Sequence, residues 1–181
     1  MNLKSKAAVC SITAVLAIVF NIDDELRVSE NGLRHIANEE GCRTKAYRIC
    51  SDSWIDRWTI GFGHTQGVLP GQIASNQQIA RFFVNDVASA ERDVKRLLKK
   101  KPSQAEYDMM VSFVFHMGAA NLSRSTLLKK FNQGKRKEAC LQYPRWVYVQ
   151  NQDCRIPESN CSGIVDRRNI EMNVCLNGWK S

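Results

Sequence analysis

The stretch Glu39-Glu40-Gly41-Cys42-Arg43-Thr44-Lys45-Ala46-Tyr47, resumed at Trp58-Thr59-Ile60-Gly61-Phe62-Gly63-His64-Thr65, is where the helical period of the chain breaks. Its glycines and its isolated aromatic and β-branched residues fit short strands and tight turns rather than a helix. Before it, Leu33, Ile36 and Ala37 fall at helical spacing, with Ser29 placed to cap the start and Gly41 the end, so a short helix runs into the β segment at Glu40. After it, Leu69-Pro70-Gly71 marks a turn, and Ser75 with Gln78 forms a capping-box pattern. Ile79, Phe82, Phe83, Val87, Ala90, Val94, Leu97 and Leu98 then keep to one face, which predicts a long amphipathic helix. Ser103 and Glu106 repeat the capping signal for a helix ending at Gly118, so apolar on every side that it must be a buried core helix. Shorter helical pieces are expected near Ser125 to Asn132, Lys137 to Leu141 and Ile164 to Leu176. The order predicts an α+β, mostly helical fold: a small β-containing lobe, a long helix and a helical C-terminal lobe.

Composition narrows the class. The 181 residues, 44% of them hydrophobic with only 10 Gly and 4 Pro, suit one globular domain without fibrous or disordered character. No repeat period is visible. His35, His64 and His116 are scattered, with no i, i+4 pair and no Cys-x-x-Cys, so neither a metal nor a cofactor is expected. Gly61-Phe62-Gly63 lacks the βαβ context of a nucleotide loop. His64, next to that turn, is expected to tie the small lobe together by a hydrogen bond.

The N-terminus carries a membrane signal. Lys4 and Lys6 precede the uncharged run Ala7 to Phe20, and Asp23, Asp24 and Glu25 follow it, which orients the N-terminus inside and the remainder outside. The run is short and diluted by Cys10, Ser11 and Thr13, so it predicts a weak, retained anchor over residues 1–22 and an exported domain over 23–181; no small-x-small site marks a cleaved signal peptide. Export makes disulfides permissible and accommodates 7 cysteines. The net charge of +8 is concentrated at Lys95, Arg96, Lys99, Lys100 and Lys101 and at Lys129, Lys130, Lys135, Arg136 and Lys137. In an exported protein such clusters are solvated faces or attract anionic wall polymers and lipid headgroups. With no recognisable binding motif, nucleic acid is not an expected partner.

Glu40 through Tyr47 and Trp58 through Thr65, followed by Val111-Ser112-Phe113-Val114-Phe115-His116-Met117-Gly118, Ser125-Thr126-Leu127-Leu128 and Pro144-Arg145-Trp146-Val147-Tyr148, occur in one order. In these motifs, spread from about Gly32 to Trp179, the chain resembles the phage-type lysozymes, family 24 of the glycoside hydrolases. The resemblance implies a lysozyme-like fold and hydrolysis of the β-1,4 bond between N-acetylmuramic acid and N-acetylglucosamine in peptidoglycan, with inversion at the anomeric carbon. It assigns Glu40 as the general acid, Thr59 as the hydroxyl that holds the attacking water, and Cys50 as the second catalytic group, with Asp52 the alternative and Asp56 also in the same loop. The intervals from Glu40 to Cys50 and from Cys50 to Thr59 exceed the family spacing, so the β region must absorb insertions on both sides of Cys50. His116 falls where the family places a substrate-facing polar group. The chemistry fits those residue types: one group must protonate the leaving oxygen, and another must polarise water on the opposite face of the sugar.

The weak anchor and odd cysteine count further resemble the signal-arrest-release endolysins, in which the enzyme waits at the host inner membrane and then escapes to the periplasm. That resemblance implies a Cys42–Cys50 disulfide that blocks Cys50 before release and a Cys10–Cys42 disulfide afterwards. Cys140 and Cys175 sit on two predicted C-terminal helices and Cys154 and Cys161 bracket a polar loop, so Cys140–Cys175 and Cys154–Cys161 are the further disulfides expected. The expected product is a monomeric endolysin. The alternatives are a lytic transglycosylase relying on Glu40 alone and a non-catalytic wall-binding module.

Overall fold

The computed structural model describes residues 9–22, 26–48 and 57–180. Cys50, Asp52 and Asp56 therefore lie outside the described residues. The chain divides into two compact units, residues 1–89 and 90–181.

The first unit opens with helix α1, Ile12–Ile22, and helix α2, Glu30–Glu40. Ser29 Oγ accepts from Gly32 N at 3.2 Å and caps α2. Gly41, at φ 66°, closes it with an N–H bond to the Ala37 carbonyl, a left-handed turn that favours glycine. This turn delivers the chain into strand β1, Arg43–Arg48, which pairs antiparallel with β2, Trp58–Gly61, so that Tyr47 faces Thr59. A bulge between Arg43 and Tyr47 uses the extra length of β1. The other edge of β1 is covered by a segment whose pairing the periodicity did not indicate: Ala46 N donates to Gln72 O at 2.8 Å and Ala74 N to Thr44 O at 2.9 Å.

Val15, Leu16 and Val19 of α1 are buried, and α1 packs on α2, with the Arg34 guanidinium 4.8 Å from the centre of the Phe20 ring. Helix α1 runs through Ile22, the last residue of the expected anchor. No helix among the described residues is long and apolar enough to cross a membrane. Of the described residues read as an anchor, Val15, Leu16 and Val19 form one face of a core-packed helix, while Val9, Ser11, Thr13, Ala14 and Ala17 are exposed.

Helix α3, Asn76–Leu97, begins in the first unit and ends in the second. Its capping box is present in both directions: Ser75 N donates to Gln78 Oε1 at 2.9 Å and Gln78 N to Ser75 Oγ at 3.3 Å. Ile79, Phe83 and Val87 supply core to the first unit, where the Phe83 ring lies 4.7 Å from that of Phe62.

The second unit is helical: α4 Gln104–Met117, α5 Ala119–Ser123, α6 Thr126–Asn132, α7 Arg136–Cys140 and α8 Ser162–Asn177, with a two-stranded hairpin of β3 Tyr148–Val149 and β4 Gln152–Asp153. Helix α4 carries a complete Ser103–Glu106 capping box and buries residues on every side, as its composition predicts. It packs against α8, which contributes the fully buried Arg168 and Glu171 rather than an apolar stripe. Disulfide Cys140–Cys175 ties α7 to α8, and Cys154–Cys161 closes the loop after the hairpin. The basic cluster near residue 130 is partly structural: Lys130 pairs with Glu138, and Arg136 with buried Glu106.

Candidate active site

Glu40 is the last residue of α2, half-buried, and the turn at Gly41 is what presents it at the mouth of the β region. Gly63, at φ 95°, has Glu40 Oε2 3.8 Å from where its Cβ would stand, an ordinary contact distance. A larger residue at 63 would be strained by its backbone. Glu40 also acts on Tyr47: burial raises the Tyr47 phenol above its ordinary value, Arg43 opposes this, and the Glu40 carboxylate adds to it. The Arg43 guanidinium stacks 4.2 Å from the centre of the Tyr47 ring. Directly opposite Tyr47 on β2 stands Thr59, 5% exposed, and facing residues of an antiparallel pair project to the same side. The fold thus brings Glu40, Arg43, Tyr47 and Thr59 to one β-lined corner of the first unit. The stacking of Arg43 on Tyr47 and the closeness of Gly63 to Glu40 were not legible, since they depend on the β1 bulge and the turn after β2.

His64 holds this corner. Its backbone N and O exchange hydrogen bonds of 2.9 Å with Ile60, and its Nδ1 lies 2.9 Å from Asp86 Oδ2 on α3. Phe82 stacks on the imidazole at 4.4 Å between ring centres. Burial raises the Asp86 carboxyl above its ordinary value, partly offset by the bond to His64. The role expected of His64, a tie within the small lobe, is the one it has.

Cys42 is joined to Cys10 by a disulfide. The neighbouring backbone supports the join, with Cys10 N donating to Cys42 O at 3.3 Å and Val9 bridging Arg43.

In the second unit, a groove of about 470 Å³ is lined by Met117, Asn121, Arg124, Gln142, Arg145, Trp146 and others. Arg124 is held by Asn121 Oδ1, and Arg145 donates to Gln142 Oε1 at 3.3 Å. Both guanidiniums are thus oriented by uncharged amides, and no carboxylate is among the described residues that line the groove. Its Ser125, Thr126, Arg145 and Trp146 belong to motifs quoted above, yet nothing in their spacing marks them as one cavity. His116, on the last turn of α4, accepts from Arg168 at 3.1 Å, and burial together with Arg167 and Arg168 lowers its pKa to about 3. No group of three or more potential metal ligands occurs among the described residues.

A helix ending in a glutamate at a glycine turn, a bulged hairpin and a helical second unit are features of one family. The family profile described as phage lysozyme matches residues 37–171. The chain is 32% identical over 146 residues to the endolysin of Acyrthosiphon pisum secondary endosymbiont phage 1, covering 81% of this chain and 95% of that one. It is 32% identical over 180 residues to the SAR-endolysin of Escherichia phage P1, covering 94% and 92%. Its fold matches the crystal structure of the active form of P1 phage endolysin Lyz with a TM-score of 0.79 at 27% identity, over 94% of this chain and 96% of that one. The chain belongs to the phage lysozyme family. It is a lysozyme-class glycoside hydrolase, an endolysin that hydrolyses peptidoglycan.

Proposed function

We propose that the chain cleaves the bond between N-acetylmuramic acid and N-acetylglucosamine with Glu40 as general acid, Thr59 as the hydroxyl that holds the attacking water, and Cys50 as the base. Glu40 gives its proton to the glycosidic oxygen as the bond from that oxygen to the anomeric carbon breaks. The water oxygen bonds to the opposite face of that carbon, and its proton passes to the Cys50 thiolate. The product has inverted configuration and a new reducing end. The observation that carries this reading is the corner where the Glu40 carboxylate stands beside Gly63 and Tyr47, with Thr59 across the strand pair. Digesting sacculi with the reduced enzyme and weighing the released muropeptides tests it. Reducing ends support hydrolysis; anhydro ends mean a transglycosylase that needs no water-directing group.

The same reading covers control. Residues 1–22 act as a weak anchor in the host inner membrane, N-terminus inside, and the monomeric domain of residues 23–181 works in the periplasm after the anchor escapes. The name SAR-endolysin carried by the P1 relative supports this order. So does the two-sided character of α1, whose Val15, Leu16 and Val19 fit a protein core while its other face is weakly polar. With Cys42 bonded to Cys10, Cys50 is no longer blocked by Cys42 and its thiolate is free for catalysis.

A further inference from the structure

Between Trp146 and α8 the chain makes an excursion through the β3–β4 hairpin. The three non-glycine residues with positive φ among the described residues, Gln150 at 49°, Asn151 at 65° and Asn160 at 53°, all fall within it. Backbone of this kind persists only where its surroundings fix it. Three devices do so here. Cys154–Cys161 closes the loop, and Cys154 N donates to Val147 O at 2.9 Å. Arg155 forms the third: its Nε donates to Asp153 Oδ1 at 2.8 Å and its Nη2 to Tyr148 Oη at 2.8 Å. Those bonds hold the Asp153 carboxyl down to about 2, so the clasp stays charged over any pH at which a wall enzyme works.

All this fixes a ring that is not buried. Tyr148 is 53% exposed, and it lines the groove that also holds Trp146, Arg124 and Arg145. The Arg155 guanidinium stands 5.6 Å from the centre of the ring, and an aromatic ring exposed to this extent offers a flat surface on which the apolar face of a sugar can lie. The two guanidiniums, oriented by amides in the groove, complement an anionic polymer.

We propose that Tyr148 is a specificity-determining residue for the wall substrate, its ring a platform for peptidoglycan lying in this groove, and that Arg155 and the Cys154–Cys161 disulfide are positioning elements for it. The proposal rests on the reading of the chain as a peptidoglycan hydrolase.

The test separates binding from cleavage. Full-length protein carrying Glu40→Gln is sedimented with purified sacculi, alone and with Tyr148→Phe, Tyr148→Leu or Tyr148→Ala added. Loss of the flat ring in the Leu and Ala forms weakens binding roughly three- to tenfold, whereas the Phe form, which keeps the ring and loses only the hydroxyl that Arg155 holds, is weakened less than either. In the otherwise unmodified enzyme, the same Leu change raises KM for soluble peptidoglycan by a similar factor and leaves kcat within about twofold. Leu keeps the apolar bulk of the side chain, so a fold defect in the Ala form does not decide the outcome. Unchanged sacculus binding by Tyr148→Leu, or a fall in kcat at constant KM, overturns the proposal. Continued cleavage by Glu40→Gln instead removes the assignment of Glu40 and leaves the sedimentation comparison valid.

Discussion

Arg168 Nη2 lies 3.1 Å from His116 Nδ1, and a guanidinium has only donors, so His116 must accept at Nδ1 and carry its proton on Nε2. Burial disfavours the charged ring, and protonating it would also remove that acceptor and place a third positive charge beside Arg167 and Arg168, which is why its pKa falls from 6.5 to about 3. Above about pH 6.5 the folded and unfolded states both hold the ring neutral. Between that pH and about 3 only the unfolded state takes the proton, so the stability His116 contributes is complete above 6.5 and is lost as the pH falls toward 3. Urea unfolding from pH 7 to 4 should show that loss, and His116→Gln should flatten it. The difference in slope stays below the ~1.4 kcal/mol per pH unit of a whole proton, because the ring is partly exposed. Equal slopes in the two proteins contradict the account.

Glu171 Oε1 accepts from Arg168 Nη2 at 3.0 Å and from Ser112 Oγ at 2.8 Å, and Arg167 Nε lies 3.3 Å away, all of them buried. Removing this carboxylate takes from two buried guanidiniums an acceptor that they share. Glu171→Ala should cost about 3–5 kcal/mol, read from urea or thermal unfolding. A cost below ~1 kcal/mol shows that water reaches the cluster.

Thr59 is buried on β2 opposite Tyr47. Thr59→Val keeps its shape and removes only the hydroxyl, so turnover should fall by ~10²–10³ while the melting temperature changes little. Loss of stability with turnover preserved makes Thr59 a packing residue.

Cys10 is joined to Cys42. Cys10→Ser should be exported and folded yet inactive under oxidising conditions, and either a reductant or a second change, Cys42→Ser, should restore it. Peptide mapping should find Cys42 joined to Cys50 before release and to Cys10 after. Full activity of Cys10→Ser without reductant ends the exchange scheme.

Helices α2, α3 and α4 were legible because each starts on a side-chain cap and keeps an apolar spacing, signals set by local backbone chemistry. The cover strand at Gln72–Ala74 and the β3–β4 hairpin were not: they bond through backbone groups that no side-chain pattern advertises. Helix α8 was found near its observed bounds, but which of its faces is buried was not legible. Arg167, Arg168 and Glu171 look like a solvated stripe and are instead its buried side, because each charge has a partner that only the folded chain supplies. In the site, Glu40 and Thr59 came from motif order. The contacts that explain their surroundings, Gly63 beside the carboxylate and Arg43 on Tyr47, depend on a bulge and a turn.

Glu40 carries the proton that cleavage requires, and an amide of the same shape cannot supply it. The most direct measurement is therefore the rate of peptidoglycan solubilisation by reduced Glu40→Gln beside the parent protein, with thermal unfolding run on both. Loss of turnover by about 10³ or more at an unchanged melting temperature is the predicted result. Cleavage within a few-fold of the parent contradicts it and removes Glu40 from the chemistry.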